Sequence, residues 1–247
     1  MGRVVAPAVF AFAAALSARA IACGASAGGA AGVSACSLKE HLESVRPKWR
    51  SGAGFGWTRT AIRFNGDMRV DETRQIAFAT VDYRLTPEWT FELALGSIFG
   101  GSLRSDPAEF DVRPGLLVAA GASWRVLEAD GARPFIALTA QIAFAAASTR
   151  IGSDPAAPSA SYDALDARLG AVTGWPLWQT VTPYVLARAF GGPVYWQYQG
   201  ATLTGGDVHH FQVGGGFLLR IGQQFDVFAE GVPLGEQGVS AGAGVTF

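Results

Sequence analysis

An all-β fold, specifically a transmembrane antiparallel up-and-down β-barrel of about ten strands with eight as the alternative, follows from three features of the sequence. Hydrophobic residues make up 49% of the 247-residue chain, yet beyond the first twenty residues no run approaches the ~20 consecutive apolar residues of a spanning helix. The apolar residues are instead dispersed by strict alternation, which gives a strand one greasy face and one polar face. Connections between the alternating segments fall into short and long classes that take turns, as they do when hairpins bind alternately on the two sides of a bilayer. A soluble sandwich would not need so many small residues on a greasy outer face.

The N-terminus reads separately. In "MGRVVAPAVFAFAAALSARAIAC", Arg3 precedes an apolar core from Val4 to Leu16 and then small residues. This is an export signal over 1–22. Cleavage after "ARA" or after "AIA" both satisfy the small-x-small rule. "AIAC" also has the outline of a lipoprotein box, so Cys23 is a candidate for lipidation. Cys23 and Cys36 are the two cysteines; they could instead bridge a short loop in an oxidising compartment, and they exclude a Cys-based metal site. Residues 23–50 form a periplasmic lead-in: a Gly/Ala/Ser tether, then the charged "SLKEHLESVRPKWR", which holds both lysines, Lys39 and Lys48. The barrel is expected over 51–247.

The first segment, Gly54–Asn65, carries apolar residues on both parities, and its Arg59 and Arg63 are assigned to the lumen. In Arg74–Leu85 the outward row is Ala77, Ala79, Val81, Tyr83 and Leu85, with Asp82 and Arg84 inward. Trp89–Gly100 turns Trp89, Phe91, Leu93, Leu95 and Phe99 out and Glu92 in. Gly115–Leu127 places Leu116, Val118, Ala120, Trp124 and Val126 outward and Ser123 and Arg125 inward. Pro134–Ser148 and Ala164–Trp175 follow, the latter with Asp166 and Arg168. Pro183–Val194 is less regular and contains Arg188. His210–Ile221 sends Phe211, Val213, Phe217, Leu219 and Ile221 out, with Gln212 and Arg220 in. Asp226–Val232 contributes Asp226 and Glu230, and Gly238–Phe247 ends the chain. A lipid-facing arginine near mid-bilayer costs about 2–4 kcal/mol, so every strand charge is placed in the lumen. Aromatics near the segment ends form two interfacial girdles.

The last segment is a ladder of Val239, Ala241, Ala243, Val245 and Phe247 against Ser240, Gly242, Gly244 and Thr246. With the export signal and the alternating strands, it resembles the general family of small bacterial outer-membrane β-barrel proteins. That resemblance implies a terminal aromatic read by the barrel-assembly machinery, an outer-membrane location and a covering of outer-membrane lipid. It names an architecture, not an activity.

A formal net charge of −1 argues against a nucleic-acid partner, and a monomer is expected. Ten strands leave little spare room inside, so the lumen arginines and carboxylates are read as a network that fills and stiffens it. A narrow channel for small solutes would require that Gly170, Gly174, Gly214 and Gly216 leave a gap. A third reading is a surface hydrolase: Asp207-x-His209 resembles the Asp–His pair of the ten-stranded outer-membrane proteases, the omptins. A carboxylate two residues from an imidazole can hold it as a general base. That family also needs an Asp-x-Asp pair on an early strand, which this chain lacks, and His41, His209 and His210 lack the His-x-Ser pattern of barrel-type lipid A deacylases. The adjacent histidines have no further ligands for a metal. No cofactor and no enzymatic activity are expected; a structural or surface-interaction role leads.

Overall fold

Alternation becomes wall. The computed structural model describes residues 48–65, 67–129, 133–151, 158–177, 180–222 and 224–247. The export signal, most of the lead-in, Cys23 and Cys36 lie outside these residues. The described chain contains β1 (Lys48–Phe64), β2 (Met68–Arg84), β3 (Trp89–Ser105), β4 (Ala108–Val112), β5 (Gly115–Leu127), β6 (Phe135–Ile151) and β7 (Ser159–Gly174). It continues with β8 (Val181–Gly191), β9 (Pro193–Tyr198), β10 (Ala201–Asp207), β11 (Phe211–Ile221), β12 (Phe225–Leu234) and β13 (Gln237–Thr246). All pairings are antiparallel.

The sheet closes twice. Towards the short-turn end, ten strands form a ring in the order β1, β2, β3, β5, β6, β7, β8, β11, β12, β13 and back to β1. Towards the long-loop end the ring has eight: β1, β2, β3, β4, β6, β7, β9, β10 and back to β1. The step is made by one short hairpin. The topmost rung of β13 on β1 is Gln237 opposite Arg59. Farther up β1, Ile62, Arg63 and Phe64 take Asp207, Gly206 and Gly205 of β10 instead. The hairpin turn needs Gly235, whose φ is +88° and whose missing Cβ leaves room for the Phe211 carbonyl. Ten strands and eight strands are thus both present, in different layers.

Strand β1 begins at Lys48, ahead of the expected start at Gly54. Segments read from sequence as outer loops are partly wall: "AEFDV" is β4, and "YWQYQGATLTGGDV" contains most of the β9–β10 hairpin. Pro183–Val194 splits into β8 and β9 at Gly192, where a Cβ would collide with the Leu165 backbone.

The outward rows anticipated from parity hold. Phe91, Leu93, Leu95, Phe99, Leu116, Val118, Trp124, Phe211, Val213 and Phe217 are exposed. From Trp49 to Trp57, β1 climbs about 27 Å at ~3.4 Å per residue, or about 21 Å along the axis at a ~40° tilt. That approaches the ~25 Å apolar band of membrane barrels. At its lower edge the aromatics pair: Trp89 and Trp124 stack at 5.8 Å between centroids, and Trp49 lies 4.6 Å from Tyr83.

Candidate functional site

The lumen is where any chemistry would reside, and it is built in layers. Nearest the short-turn end, Arg50 is fully buried. Its Nε and Nη2 donate to Asp226 at 3.0 and 2.6 Å, and its Nη1 donates to Asp82 at 3.3 Å. Its guanidinium lies across the inner faces of β1 and β13, where Gly52 and Gly244 leave the space. A Cβ on Gly52 would sit 2.6 Å from Nη1, and one on Gly244 would overlap the guanidinium itself. Glu92 faces Asp82 across the β2–β3 ladder.

A second layer is centred on Glu230. Arg188 donates to both its carboxylate oxygens at 3.2 and 3.3 Å, and the Tyr184 hydroxyl donates at 3.0 Å. The lumen glycines are occupied by these neighbours. A Cβ on Gly170 would lie 2.6 Å from Cγ of Arg188, and one on Gly216 would lie 2.8 Å from the Tyr184 hydroxyl. The gap that a channel reading needed at these positions is filled.

The third layer lies behind the short hairpin. Glu236, on its tip, points inward and meets Arg168 at 2.6 Å and Arg74 at 4.0 Å. Arg168 also pairs with Asp166, and Arg74 lies 3.3 Å from Glu72. These groups, with Asp207 and Tyr162, line a cavity of about 40 Å³. At roughly 10–15 Å³ per water centre that is room for about three waters, not for a solute. Above it the lumen turns apolar. Trp196 packs between Phe64 (5.7 Å), Phe110 (4.9 Å, edge-on) and Tyr198 (4.9 Å), and Ile62, Val70, Leu103 and Val112 complete the cluster. The Trp196 Nε1–H donates to Thr149 Oγ1 at 2.9 Å, so its one polar atom is satisfied. An eight-stranded barrel is just wide enough for side chains to fill, and here they do.

Asp82, Arg84, Glu92, Arg125, Asp166, Arg168, Arg188, Arg220, Asp226 and Glu230 all fall on the inward parity of their strands. Arg59 and Arg63 do not, and their assignment to the lumen is corrected. The inward row of β1 is Thr58, Thr60, Ile62 and Phe64, which turns the odd residues out. Both arginines lie beyond the apolar belt, where an outward charge meets water rather than hydrocarbon. Arg59 pairs there with Asp71 at 3.3 Å.

Sequence reasoning missed Arg50, Glu72, Arg74 and Glu236. Glu72 and Arg74 share the parity of Asp82 and were legible as an extension of that strand. Glu236 was not, because nothing local marks a hairpin tip as inward. Asp207 and His209 part company: Asp207 lines the inner cavity and accepts from the Thr60 hydroxyl at 3.2 Å, whereas His209 is exposed. His210 places Nδ1 3.3 Å from the Phe190 carbonyl oxygen. Among the described residues no three His, Cys, Asp or Glu side chains gather to hold a metal.

The C-terminal ladder forms the seam with the start of β1. Val239, Ala241, Ala243 and Val245 occupy the outward row. The Trp49 N–H donates to the Phe247 carbonyl at 3.2 Å, and the Phe247 N–H donates to the Trp49 carbonyl at 3.0 Å. The last residue is therefore a full rung.

No family model and no curated protein matches the chain. Solved structures do. The outer-membrane protease OmpT of Escherichia coli is similar at 9% identity, over 84% of this chain and 99% of that one, with a TM-score of 0.50. The translocator domain of the autotransporter NalP of Neisseria meningitidis is similar at 12% identity over 84% and 90%, with a TM-score of 0.45. An outer-membrane channel from Pseudomonas putida F1 is similar at 10% identity over 84% and 97%, with a TM-score of 0.41. At such identities the likeness is one of fold. With the closed antiparallel ring and the outward apolar rows, it makes the architecture of this chain that of an outer-membrane β-barrel.

Proposed function

We propose that this protein is a closed, non-conducting and non-enzymatic barrel of the bacterial outer membrane, whose rigid outer end serves as a platform for surface contacts. The observation that carries the reading is the apolar cap of Phe64, Phe110, Trp196 and Tyr198 over the ion-paired interior. Ions do not cross a dry aromatic layer, and the cavity beneath it admits about three waters. An omptin-like fold brings no omptin-like site: Asp207 is turned to the inner cavity and His209 to the outside. An outer-membrane location is supported by the apolar belt, by the aromatic edge and by the fold.

Planar-bilayer recording on the purified full chain tests this. A flat current at all applied potentials is expected. Discrete, reproducible single-channel steps would replace the platform reading with the narrow-channel one.

A further inference from the structure

The correction at Arg59 and Arg63 exposes a feature of the outer wall. Arg63 of β1 stands directly opposite Arg69 of β2 on the outward face. Directly opposed residues on one face lie about 4.5–5.5 Å apart at Cβ, and like charges so placed repel. A folded wall does not keep such a pair without a counter-charge to hold. Asp71 lies 3.3 Å from Arg59 and 3.5 Å from Arg69. Arg63 has no ion-pair partner among the described residues. Asp67 lies beyond this pair, on the turn farthest from the membrane belt.

The surroundings narrow what the counter-charge is. Phe55 and Trp57 of β1 and Phe99 of β3 form the top of the apolar belt on this same face, with Phe55 and Phe99 6.5 Å apart edge to face. From Trp57, Arg59 lies about 5 Å and Arg63 about 16 Å higher along the axis, at the rise and tilt used above. The headgroup layer of an ordinary phospholipid adds only about 5–8 Å beyond the hydrocarbon. On the other flank of Arg63, β10 presents Gly206 and the exposed Thr204, which leave its guanidinium open from the side.

We propose that the β10–β1–β2 face binds the phosphorylated saccharide headgroup of an outer-leaflet glycolipid. Its acyl chains lie against Phe55, Trp57 and Phe99. Its phosphates engage Arg59 low on the wall and the Arg63/Arg69 pair above. Guanidinium forks suit phosphate oxygens, and a sugar-borne phosphate reaches the height that a simple phospholipid phosphate does not. The face is also where β10 meets β1 through only the rungs Ile62–Asp207, Arg63–Gly206 and Phe64–Gly205. A headgroup spanning it braces the narrowest seam of the eight-stranded ring.

The inference rests on the outer-membrane reading, and the test separates the two. Full-length protein is folded into phosphatidylcholine vesicles, into vesicles also containing a diphosphorylated glucosamine-disaccharide glycolipid, and into vesicles with that glycolipid dephosphorylated. Bound glycolipid and thermal unfolding are measured in each. Retention of the phosphorylated form, with a raised unfolding temperature, is expected. The paired variant Arg63→Gln/Arg69→Gln should lose roughly 30-fold in affinity, from about 1 kcal/mol per arginine at the surface. Arg104→Gln, an exposed arginine paired with Glu109, should not. Equal retention of the dephosphorylated form, or an unchanged paired variant, would overturn the inference while leaving the barrel in the membrane. Full displacement by millimolar inorganic phosphate would also overturn it, since the site would then take free anion rather than lipid. Failure to enter any vesicle would remove the outer-membrane reading as well.

Discussion

Arg50→Ala is the most demanding perturbation of the lumen. The substitution removes one guanidinium and strands two buried carboxylates, because Asp82 and Asp226 both take their hydrogen bonds from it. Breaking a buried ion pair by deleting one partner costs about 3–5 kcal/mol. Here two acids are left facing each other, so the upper half of that range is expected. The assay is urea unfolding of the mature chain in lipid vesicles, followed by tryptophan emission. A triple variant, Arg50→Met with Asp82→Asn and Asp226→Asn, should recover most of the loss, because neutralising every member removes the uncompensated charge. Gly244→Ala provides a cycle. Its methyl group needs the space that the guanidinium fills, so it should cost about 1–3 kcal/mol in the native background and markedly less alongside Arg50→Ala. A loss below about 1 kcal/mol for Arg50→Ala would refute the reasoning. It would mean that water reaches this layer and solvates the acids.

Four further outcomes are expected. Trp196→Ala should destabilise the outer ring by about 3–5 kcal/mol, measured as faster protease cleavage at the long-loop end. Gly170→Ala should cost about 1–3 kcal/mol in the same urea assay, since its methyl group must displace Cγ of Arg188; a neutral result would mean spare lumen volume. Phe247→Ala keeps both backbone hydrogen bonds to Trp49. It should therefore alter vesicle stability little while sharply lowering the heat-modifiable band recovered from cell membranes. If hydrolysis of any surface substrate is detected, His209→Ala should leave it unchanged, because the imidazole is exposed and apart from the Asp207 carboxylate.

Strand existence and facing were legible because lipid imposes a two-residue period on the outer row, as in Trp89–Phe99 and Leu116–Val126. The same rule failed at Arg59 and Arg63 for a physical reason. It holds only within hydrocarbon, and β1 runs on past the belt into water, where its outward row turns polar while its inward row becomes the apolar Ile62 and Phe64. Inside and outside exchange polarity at that height. The interior charge network was half visible: acids and arginines on regular strands were found, whereas Glu236 depends on where a hairpin tip points. The closure of β10 on β1 was not legible, because pairing between distant segments leaves no local periodicity.

The step from ten strands to eight makes the bore of this molecule depend on one hairpin's length. Above Gln237, strand β1 still offers unused edge, and β10 takes it because β13 has already turned back. Extending the β12 and β13 arms by about six residues each would set two segments in competition for that edge. Should the longer arms win, the circumference would no longer contract, and the aromatic cap would be too small for the cylinder it stoppers. A leak engineered in this way, without altering any residue of the cap, would turn a sealed surface protein into a conduit.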